Sequence, residues 1–401
     1  TEHILSRYPV TDPRERGASP AGGPGSGARR PSRLLLPLWW LNGLAVIGVL
    51  LSQLSPHVSP VTFWPLAFFG IAWPVLMLLN GVFILIWLIL RRKRVWPSVI
   101  AMALGAGHLG EYIGLPFRGG PPGTTTSPIK VMSWNTRIFD LYNWSHNVNT
   151  KDEMLDLIRM EDADVLCLQE FVDNDARWGR SVKDELLRDM RFTRVADAYT
   201  SHTKHGYHFG IATFSTMPII AQGAIHFPDD LNNLCLWSDI ALKNDTVRVY
   251  NAHLASLRFT EAEYDFVKEV QDGTSTEEFE HGGKRLAQRL KNGFLRRASQ
   301  VDRITAHMRT CPYPIIWCGD MNDTPMSWSY QQLRSVGLKD AFTESGSGTG
   351  NTYLGIFPGV RIDHIMHGPR LRSWGSRTLP DELSDHRAIV CRMDVIKAGE
   401  E

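Results

Sequence analysis

Six short apolar segments in the second half of the chain end in residues that can do chemistry. The polar residues are Asn135 after VMSW, Glu170 after VLCLQ, His253 in VYNAHL, Asp320 and Asn322 in IIWCGDMN, Asp363 in RIDHIM, and Asp385 and His386 in LSDHRAI. A single ending of this kind means little, because Asp and Asn commonly begin turns. Six endings drawn from the same carboxylate, amide and imidazole set predict strands whose ends meet in one polar site.

The residue types restrict the chemistry of that site. Carboxylate and amide oxygens are hard donors that suit Mg²⁺ or Mn²⁺, and no thiolate accompanies them. Histidine and aspartate together can form a base and a group that orients it. The chain has neither a G-x-S-x-G elbow nor a P-loop, so it lacks those signatures of acyl transfer and of nucleotide triphosphate binding. Hydrolysis of a phosphoester by metal-activated water fits this set best.

The elements that must position these residues alternate between short strands and amphipathic helices. We expect strands at IKVMSWN, ADVLCLQE, FGIATFS, VRVYNAHL, PIIWCGDMN and RIDHIMHG, with helices at TKDEMLDLIRM and LAQRLKNGFLRRASQVDRITAHM. A mixture of this kind over roughly 270 residues suits one α+β domain with packed sheets. Gly319 is expected to let the chain turn beside the site without crowding the substrate.

Composition excludes several classes of protein. The formal net charge is +1, so overall electrostatics identifies no partner. The five cysteines are odd in number and form no C-x-x-C pair, which argues against a zinc site or a disulfide framework. We expect them to be small buried hydrophobic residues.

The first 127 residues differ in character from the rest. Residues 1–33 are rich in Pro, Gly, Ser and Arg, which predicts a disordered tail. Residues 34–116 contain apolar segments at 34–54, 61–90 and 96–115, and the first two carry no charge. Each is about as long as a membrane span requires. Residues 117–127 are a linker by composition, and a catalytic domain is expected over 128–396.

The third segment decides the topology. It contains His108 and Glu111, which are costly in lipid unless they face other helices or an interface. Basic residues lie before the first span and at 91–94, which the positive-inside rule places in the cytoplasm. Three spans put the catalytic domain outside the cytoplasm, in the periplasm, and two spans leave it inside. We favour three because the length and the Gly and Ala content suit a packed membrane helix.

The ordered motifs SWNTR, LQE, NAHLAS, GDMND, IDHI and SDH resemble the endonuclease/exonuclease/phosphatase superfamily. That group includes DNase I-like nucleases, inositol-phosphate phosphatases and neutral sphingomyelinases. The resemblance implies a four-layered α/β sandwich, two mixed sheets flanked by helices, with the site at one end.

The resemblance also implies a role for each motif residue. Glu170 is the main metal ligand, helped by Asn135, with Asp385 near the metal, and the cofactor is Mg²⁺ or else Mn²⁺ or Ca²⁺. The residues expected to act on water and phosphate are Asp320, which orients or deprotonates water; Asn322, which holds the phosphate; His253 and His386, which bind phosphoryl oxygens; Asp363, which orients His386; and Arg137, which binds substrate. Whether Asp320 or His386 is the base stays open.

The apolar segments indicate the substrate. A hydrolase tethered to a bilayer meets lipids at high effective concentration, which favours a phosphodiesterase acting on a phospholipid or sphingolipid, as in membrane-attached neutral sphingomyelinases. The alternatives are a tethered DNase I-like nuclease and a phosphomonoesterase for lipid or inositol phosphates. A basic helix over 284–309 suits anionic lipid or a phosphate backbone. It equally suits packing on a sheet and pairing with the acidic residues 261–280.

Overall fold

The computed structural model describes residues 35–90, 93–115, 120, 121, 123, 125, 127–174, 180–257, 279–355 and 359–396. The predicted tail, most of the predicted linker, Arg91, Arg92 and nearly all of the acidic stretch 261–280 lie outside these residues. The chain divides into two compact units, 1–41 and 42–401. The first is described only at residues 35–41, where the first helix begins.

Two six-stranded sheets form the framework of the catalytic region. Their strands are β1 (Ile129–Asn135), β2 (Val165–Asn174), β3 (Arg194–His202), β4 (Tyr207–Ser215), β5 (Ile219–His226), β6 (Leu234–Ala241), β7 (Thr246–His253), β8 (Ile315–Asp320), β9 (Lys339–Asp340), β10 (Asp363–His367), β11 (Leu371–Thr378) and β12 (Ile389–Val395). The first sheet has the order β11-β12-β1-β2-β4-β3, and the second has the order β5-β6-β7-β8-β10-β9.

Helices cover the outer face of each sheet, which gives four layers. They are α6 (Thr150–Glu161) and α7 (Val182–Asp189) on the first sheet, and α8 (Phe279–Met308) and α9 (Trp328–Ser335) on the second. A third apolar cluster lies between the sheets and includes Val131, Cys167, Val249 and Cys318. The predicted four-layered arrangement of two sheets and flanking helices is confirmed.

All six expected strands form, and so do both expected helices. The other six strands, β3, β5, β6, β9, β11 and β12, are not among those six. Strand β5 has no buried residue, and β3 buries only Ala196, so neither carries the alternation of apolar and polar residues that identifies a half-buried strand. Four cysteines are buried and none is paired, as expected.

The apolar N-terminal region forms a helix bundle. Its helices are α1 (Leu35–Leu54), α2 (Pro60–Phe63), α3 (Pro65–Ile89), α4 (Trp96–Gly105) and α5 (Leu109–Tyr112). The segments 35–57 and 65–89 are long and apolar enough to cross a membrane by length and composition. A short helical turn at 106–108 separates α4 from α5.

A single third helix over 96–115 was therefore a wrong prediction. The sequence Gly105-Ala106-Gly107 has weak helix propensity at Gly105 and Gly107, and the continuous helix ends there. Glu111 then turns toward the catalytic region, where Oε1 lies 2.6 Å from Nη1 of Arg334 and Oε2 lies 3.0 Å from Nδ1 of His108. The broken segment nevertheless runs antiparallel to α3, because Gly105 faces Met77 and the ring of Tyr112 stacks on Trp73 at 4.6 Å.

The bundle buries polar side chains and exposes apolar ones. Asn42, Asn80 and Ser98 are fully buried. Asn42 donates to Ser98 Oγ and accepts from Trp87 Nε1, while Asn80 donates to the carbonyl of Ala45. The exposed side chains include Leu44, Leu78, Leu85, Ile100 and Leu104, on all three of the long helices. The interior of the bundle also holds a small apolar cluster, which includes Val49, Trp73, Met77 and Ala101.

A buried ionic network joins the bundle to the second sheet. Arg361 Nη1 donates to Asp340 Oδ2 at 2.6 Å, and its Nη2 donates to the carbonyl oxygen of Glu111 at 2.6 Å. His364 Nδ1 lies 3.1 Å from the same Asp340 oxygen, and Tyr330 Oη donates to it at 3.0 Å. Burial alone would raise the pKa of Asp340, but Arg361 and His364 lower it well below its usual value, so the carboxylate stays ionised.

We predict that Asp340→Ala destabilises the protein by about 3–5 kcal/mol, because it leaves the buried guanidinium of Arg361 without its counter-charge. Thermal and urea unfolding of the full chain in detergent measure this change. Asp156→Ala is the matched control, since it breaks an exposed pair with Arg159 and should change the free energy of unfolding by less than about 0.5 kcal/mol. Equal effects of the two substitutions would contradict the network's role.

Candidate active site at the ends of the two sheets

Asp320 ends strand β8 and is completely buried. The parallel neighbour β7 places His253 opposite Asp320, and the antiparallel neighbour β10 places Asp363 opposite it. Register in a sheet is fixed by the ladder of backbone hydrogen bonds. Three of the predicted site residues are therefore held in one row across three strands.

The first sheet contributes Asn135 and Glu170. Strands β1 and β2 are parallel, and Asn135 is the last residue of β1. Glu170 lies at a register shift between Leu168 and Phe171 in the pairing of β2 with β4, with φ of +46°. Such a bulge re-aims a side chain, here toward the second sheet. Asn135 Nδ2 donates to Glu170 Oε1 at 3.2 Å and to Asp320 Oδ2 at 3.1 Å, so it links the two sheets.

His386 lies between two carboxylates. Its Nδ1 is 2.9 Å from Asp363 Oδ2, and its Nε2 is 3.7 Å from Asp320 Oδ2. The backbone is held as well, because Trp134 Nε1 donates to the carbonyl oxygen of His386 at 2.8 Å. The ring of Tyr353 contacts the imidazole edge to face at 5.1 Å. Neither Trp134 nor Tyr353 was identified from the sequence.

The charges of this cluster suit acid–base chemistry near neutral pH. Burial alone would lower the pKa of His386, but Asp363 and Asp320 raise it well above its usual value. The pKa of Asp320 is raised to about 6, because burial and the charge of Asp363 together outweigh the opposing effects of His386 and His253. The raised pKa of His386 favours its cationic imidazole, and the Asp320 carboxyl can exchange a proton near neutral pH.

Asn322 and His253 complete the surroundings of Asp320. The backbone nitrogen of Asn322 donates to Oδ1 at 2.8 Å, and its side-chain Nδ2 donates to Oδ2 at 3.1 Å. Asn322 adopts a left-handed φ of +50°, which asparagine tolerates better than most residues. His253 Nε2 lies 3.6 Å from Asp320 Oδ2 and 3.7 Å from Glu170 Oε1.

The donor set suits a divalent cation beside Glu170. Burial and the negative charge of Asp385 raise the pKa of Glu170, so two carboxylates share a site at which a cation would favour their ionised forms. Within the described residues, Asp320, Asp363 and His386 also bring ligand atoms within 4.8 Å of one another. Both groups, Glu170 with Asp385 and Asn135, and Asp320 with Asp363 and His386, offer donor atoms that suit a divalent cation.

Arg137 lies next to the proposed metal ligands. Its Nε is 3.7 Å from Asp385 Oδ2, and its guanidinium lies 4.6 Å from the centre of the Trp144 ring. Residues 137–140 all have left-handed φ values between 44° and 52°. A run of left-handed residues is unfavourable when none of them is glycine, so the surrounding packing must stabilise this turn. The turn places Ile138 beside Glu170 in the lining of a cleft.

Support for the site includes residues that the motifs do not reveal. Gln169 Nε2 donates to Asn251 Oδ1 at 2.7 Å, and Asn251 Nδ2 donates to the carbonyl oxygen of Ala212 at 2.9 Å. This buried amide pair ties the sheets together directly below the site. The sequence did contain a signal for this pair, because Gln169 and Asn251 are amide residues inside predicted strands. Burying an amide side chain without a hydrogen bond is costly, so each needs a partner when buried.

Gly319 has a different role from the one expected. It lies inside β8 rather than at a turn, and an added Cβ would lie 2.1 Å from the carbonyl oxygen of Ala252 on the neighbouring strand. The glycine therefore allows close approach of β7 and β8. The close neighbour is a backbone carbonyl rather than a substrate.

The other histidines lie apart from this cluster. His364 contacts Asp340 and Arg361 behind the sheet, and His367 Nε2 lies 2.7 Å from Glu344 Oε2. On the β3–β4 hairpin, His208 Nδ1 lies 2.7 Å from His202 Nδ1. His205 lies in the turn of this hairpin and is exposed. None of His364, His367, His205 and His208 was expected to act in the site.

A cleft of about 270 Å³ opens beside Glu170 and His253. Its floor is apolar and includes Ile211 and Leu234, while its polar lining is uncharged apart from Glu170 and His253. The uncharged polar residues are Thr200, Ser201, Asn232, Asn233 and Ser256. The cleft can accept a small polar group attached to a phosphate.

Comparison with known proteins places this geometry in a family. Residues 132–386 match the sequence model of the Endonuclease/Exonuclease/phosphatase family, and residues 32–112 match a domain of unknown function (DUF8431). No protein among the curated ones matches the chain.

Several solved structures are similar to this chain at low sequence identity and with TM-scores below 0.5. An endonuclease/exonuclease/phosphatase from Beutenbergia cavernae DSM 12333 has a TM-score of 0.49 and 17% identity, covering 68% of this chain and 73% of that one. The catalytic domain of human Nocturnin with bound sulfate has a TM-score of 0.48 and 17% identity, covering 70% and 98%. A mannosyl-6-phosphatase from Bacteroides thetaiotaomicron has a TM-score of 0.46 and 16% identity, covering 66% and 99%.

We predict that His386→Gln lowers kcat for a chromogenic phosphodiester by on the order of 10²–10³-fold, because a cation aimed at the reacting group is lost. Steady-state kinetics at pH 7.5 with added Mg²⁺ measure this loss. His367→Gln is the matched control, since His367 is equally buried and paired with a carboxylate but lies away from the cleft. Unchanged kcat in His386→Gln, or an equal loss in both variants, would contradict the site.

Proposed function

The chain belongs to the endonuclease/exonuclease/phosphatase family, whose members hydrolyse phosphoesters, and from this premise we propose that it is a bilayer-anchored phosphodiesterase. Its proposed substrates are phospholipids or sphingolipids, from which it releases the headgroup. One observation carries the lipid assignment: the loop that begins at Asp320 ends in the helix bundle, where Met326 is buried.

The proposed reaction uses Asp320 as the base. The oxygen of a water molecule bonds to phosphorus, one of its protons passes to the Asp320 carboxylate, and the bond from phosphorus to the alcohol oxygen breaks. The alcohol leaves after taking up a proton from the medium, so one water is consumed. Cationic His386, with His253 and Asn322, stabilises the charge that develops on the phosphoryl oxygens.

The proposed cofactor is Mg²⁺, with Mn²⁺ or Ca²⁺ as substitutes. Glu170, Asp385 and Asn135 would hold it, and a bound divalent cation supplies Lewis-acid polarisation of a phosphoryl oxygen. Asn135 Oδ1 accepts from the backbone nitrogen of Arg137 at 3.1 Å, so the same turn that places Arg137 also orients this amide. Arg137 is proposed to contact the substrate from that side.

Three features support insertion of the bundle in a bilayer. Two helices have spanning length and apolar composition. Apolar side chains face outward while hydrogen-bonded asparagines and serines face inward, as in packed membrane helices. The third segment, 96–112, exposes Trp96, Ile100 and Leu104 along one stripe.

The packing of the bundle supports the proposed orientation. Asn42, Trp87 and Ser98 meet at one end, and that end adjoins the basic residues of the tail and of 91–94 in sequence. Trp73, Tyr112 and Met326 meet nearer the catalytic region. The broken third segment therefore recrosses the bundle. Under the positive-inside rule the N-terminus is cytoplasmic and the catalytic region lies in the periplasm.

The site lies close to the end of this bundle. Met326 lies four positions after Asn322, and four steps along the chain span at most about 14 Å. A lipid headgroup held at the membrane surface is therefore within reach of Asp320 without leaving the bilayer. The same closeness limits access for a long duplex, which argues against the alternative of a tethered nuclease.

A phosphomonoesterase is the other alternative. A terminal phosphate carries two negative charges, and sites that bind one usually provide several cations. The described lining of the cleft contains no Lys or Arg, and Arg137 lies beside Asp385 outside that lining. One nearby guanidinium favours a diester, which carries a single charge.

We predict that the purified full chain with Mg²⁺ releases headgroup phosphate products from mixed vesicles containing phosphatidylcholine, phosphatidylglycerol, phosphatidylinositol and sphingomyelin. Mass spectrometry of the water-soluble and lipid products identifies which bond is cut. EDTA should stop the release, and excess Mg²⁺ should restore it. Ready cleavage of plasmid DNA, with no product from any lipid, would overturn the lipid assignment.

We also predict that the C-terminus lies in the periplasm, so that only a reporter that functions there is active when fused to it. Alkaline phosphatase fused there should be active, and green fluorescent protein should be dark after export by the general secretory route. Fusions after residue 92 should give the opposite pattern, which serves as the internal control. A fluorescent C-terminal fusion would contradict the three-crossing orientation.

A further inference from the structure

The loop from Asp320 to Met326 connects the reacting carboxylate to the helix bundle. It carries Asp320 and Asn322 at its start, Asp323 in its middle and Met326 at its end. These residues contact three different parts of the protein. The loop is therefore fixed by groups on both sides of it.

The bundle holds the far end of the loop tightly. Met326 is fully buried among Val49, Trp73, Met77 and Ala101. Its backbone nitrogen donates to Tyr112 Oη at 3.3 Å. A Cβ added at Gly70 of α3 would lie 2.3 Å from the carbonyl oxygen of Met326, so the helix and loop backbones are in direct contact.

A buried ion pair holds the middle of the loop. Asp323 Oδ2 accepts from Arg297 Nε at 3.1 Å and from Ser329 Oγ at 3.1 Å. Arg297 also donates to the carbonyl oxygen of Ala255 at 2.9 Å, two residues after His253. The helix that carries Arg297 is itself tied to the bundle, because Phe294 packs edge to face on Phe68 at 5.2 Å.

The near end of the loop sets the position of donors to Asp320. Asn322 provides two of them, from its backbone and its side chain. Its left-handed backbone persists only where the surrounding contacts enforce it. Only three residues lie between Asn322 and Met326. A displacement of the Met326 backbone would therefore shift Asn322 and change its hydrogen bonds to Asp320.

We infer that the helix bundle sets the geometry of the reacting groups, with Met326 as a positioning residue that acts through Asn322 and Asp320. This rests on the proposed hydrolase function but not on the identity of the lipid. The bundle is then part of the catalytic apparatus as well as an anchor. Its effect extends to water-soluble substrates, which need no bilayer.

The test compares three variants of the full chain in detergent with Mg²⁺ and a water-soluble chromogenic phosphodiester. Met326→Ala should lower kcat by at least tenfold with little change in KM, because small displacements of reacting groups are costly. Met326→Leu, which restores the volume, should recover most of kcat. Met393→Ala is the matched control: it removes the same groups from another fully buried methionine, which pairs with Ile129 at the start of β1, the end of that strand away from Asn135.

Met393→Ala should lower the melting temperature to an extent similar to Met326→Ala while keeping kcat within about twofold of the wild type. Wild-type kcat in Met326→Ala would overturn the inference, and so would equal losses of kcat in the two alanine variants. If the wild-type chain hydrolyses neither this diester nor any lipid, the proposed function fails and the inference fails with it. Wild-type turnover thus separates the two failures.

Discussion

The rest of the structure depends on one buried carboxylate, that of Asp320, at the point where the two sheets meet. Its Oδ2 accepts from the side-chain nitrogens of Asn135 and Asn322, each at 3.1 Å, and lies within 3.7 Å of both His253 and His386. A buried charge is costly unless it is compensated by this number of partners. Because the partners come from both sheets and two loops, the register of β1, β7, β8 and β10 must be correct for the charge to be tolerated.

That constraint explains features that look unrelated. Gly319 allows β7 and β8 to approach closely, the bulge at Glu170 turns a carboxylate into the cleft, and the Gln169–Asn251 pair ties the sheets together below the site. The helix bundle joins the same arrangement through Glu111 and Met326. The helix bundle is therefore joined to the two-sheet region by buried contacts, which a flexible linker would not make.

The sequence predicted the polar ends of the strands well, because each lies at the end of an apolar segment of strand length. Asn135, Glu170, His253, Asp320, Asn322, Asp363 and His386 all converge, with Asp385 and Arg137 beside them. The sequence could not predict edge strands such as β5, which bury nothing. It also could not predict the destination of Glu111, because that depends on Arg334 and Arg361, which are more than 200 residues away in the chain.

The central claim is that Asp320 directs water onto phosphorus. Hydrolysis of a phosphodiester in water enriched with ¹⁸O, followed by mass spectrometry of both products, tests this most directly. The account predicts one ¹⁸O atom in the phosphate-bearing product and none in the alcohol, with the signal lost in Asp320→Asn. Label in the alcohol, or undiminished labelling in Asp320→Asn, would contradict it.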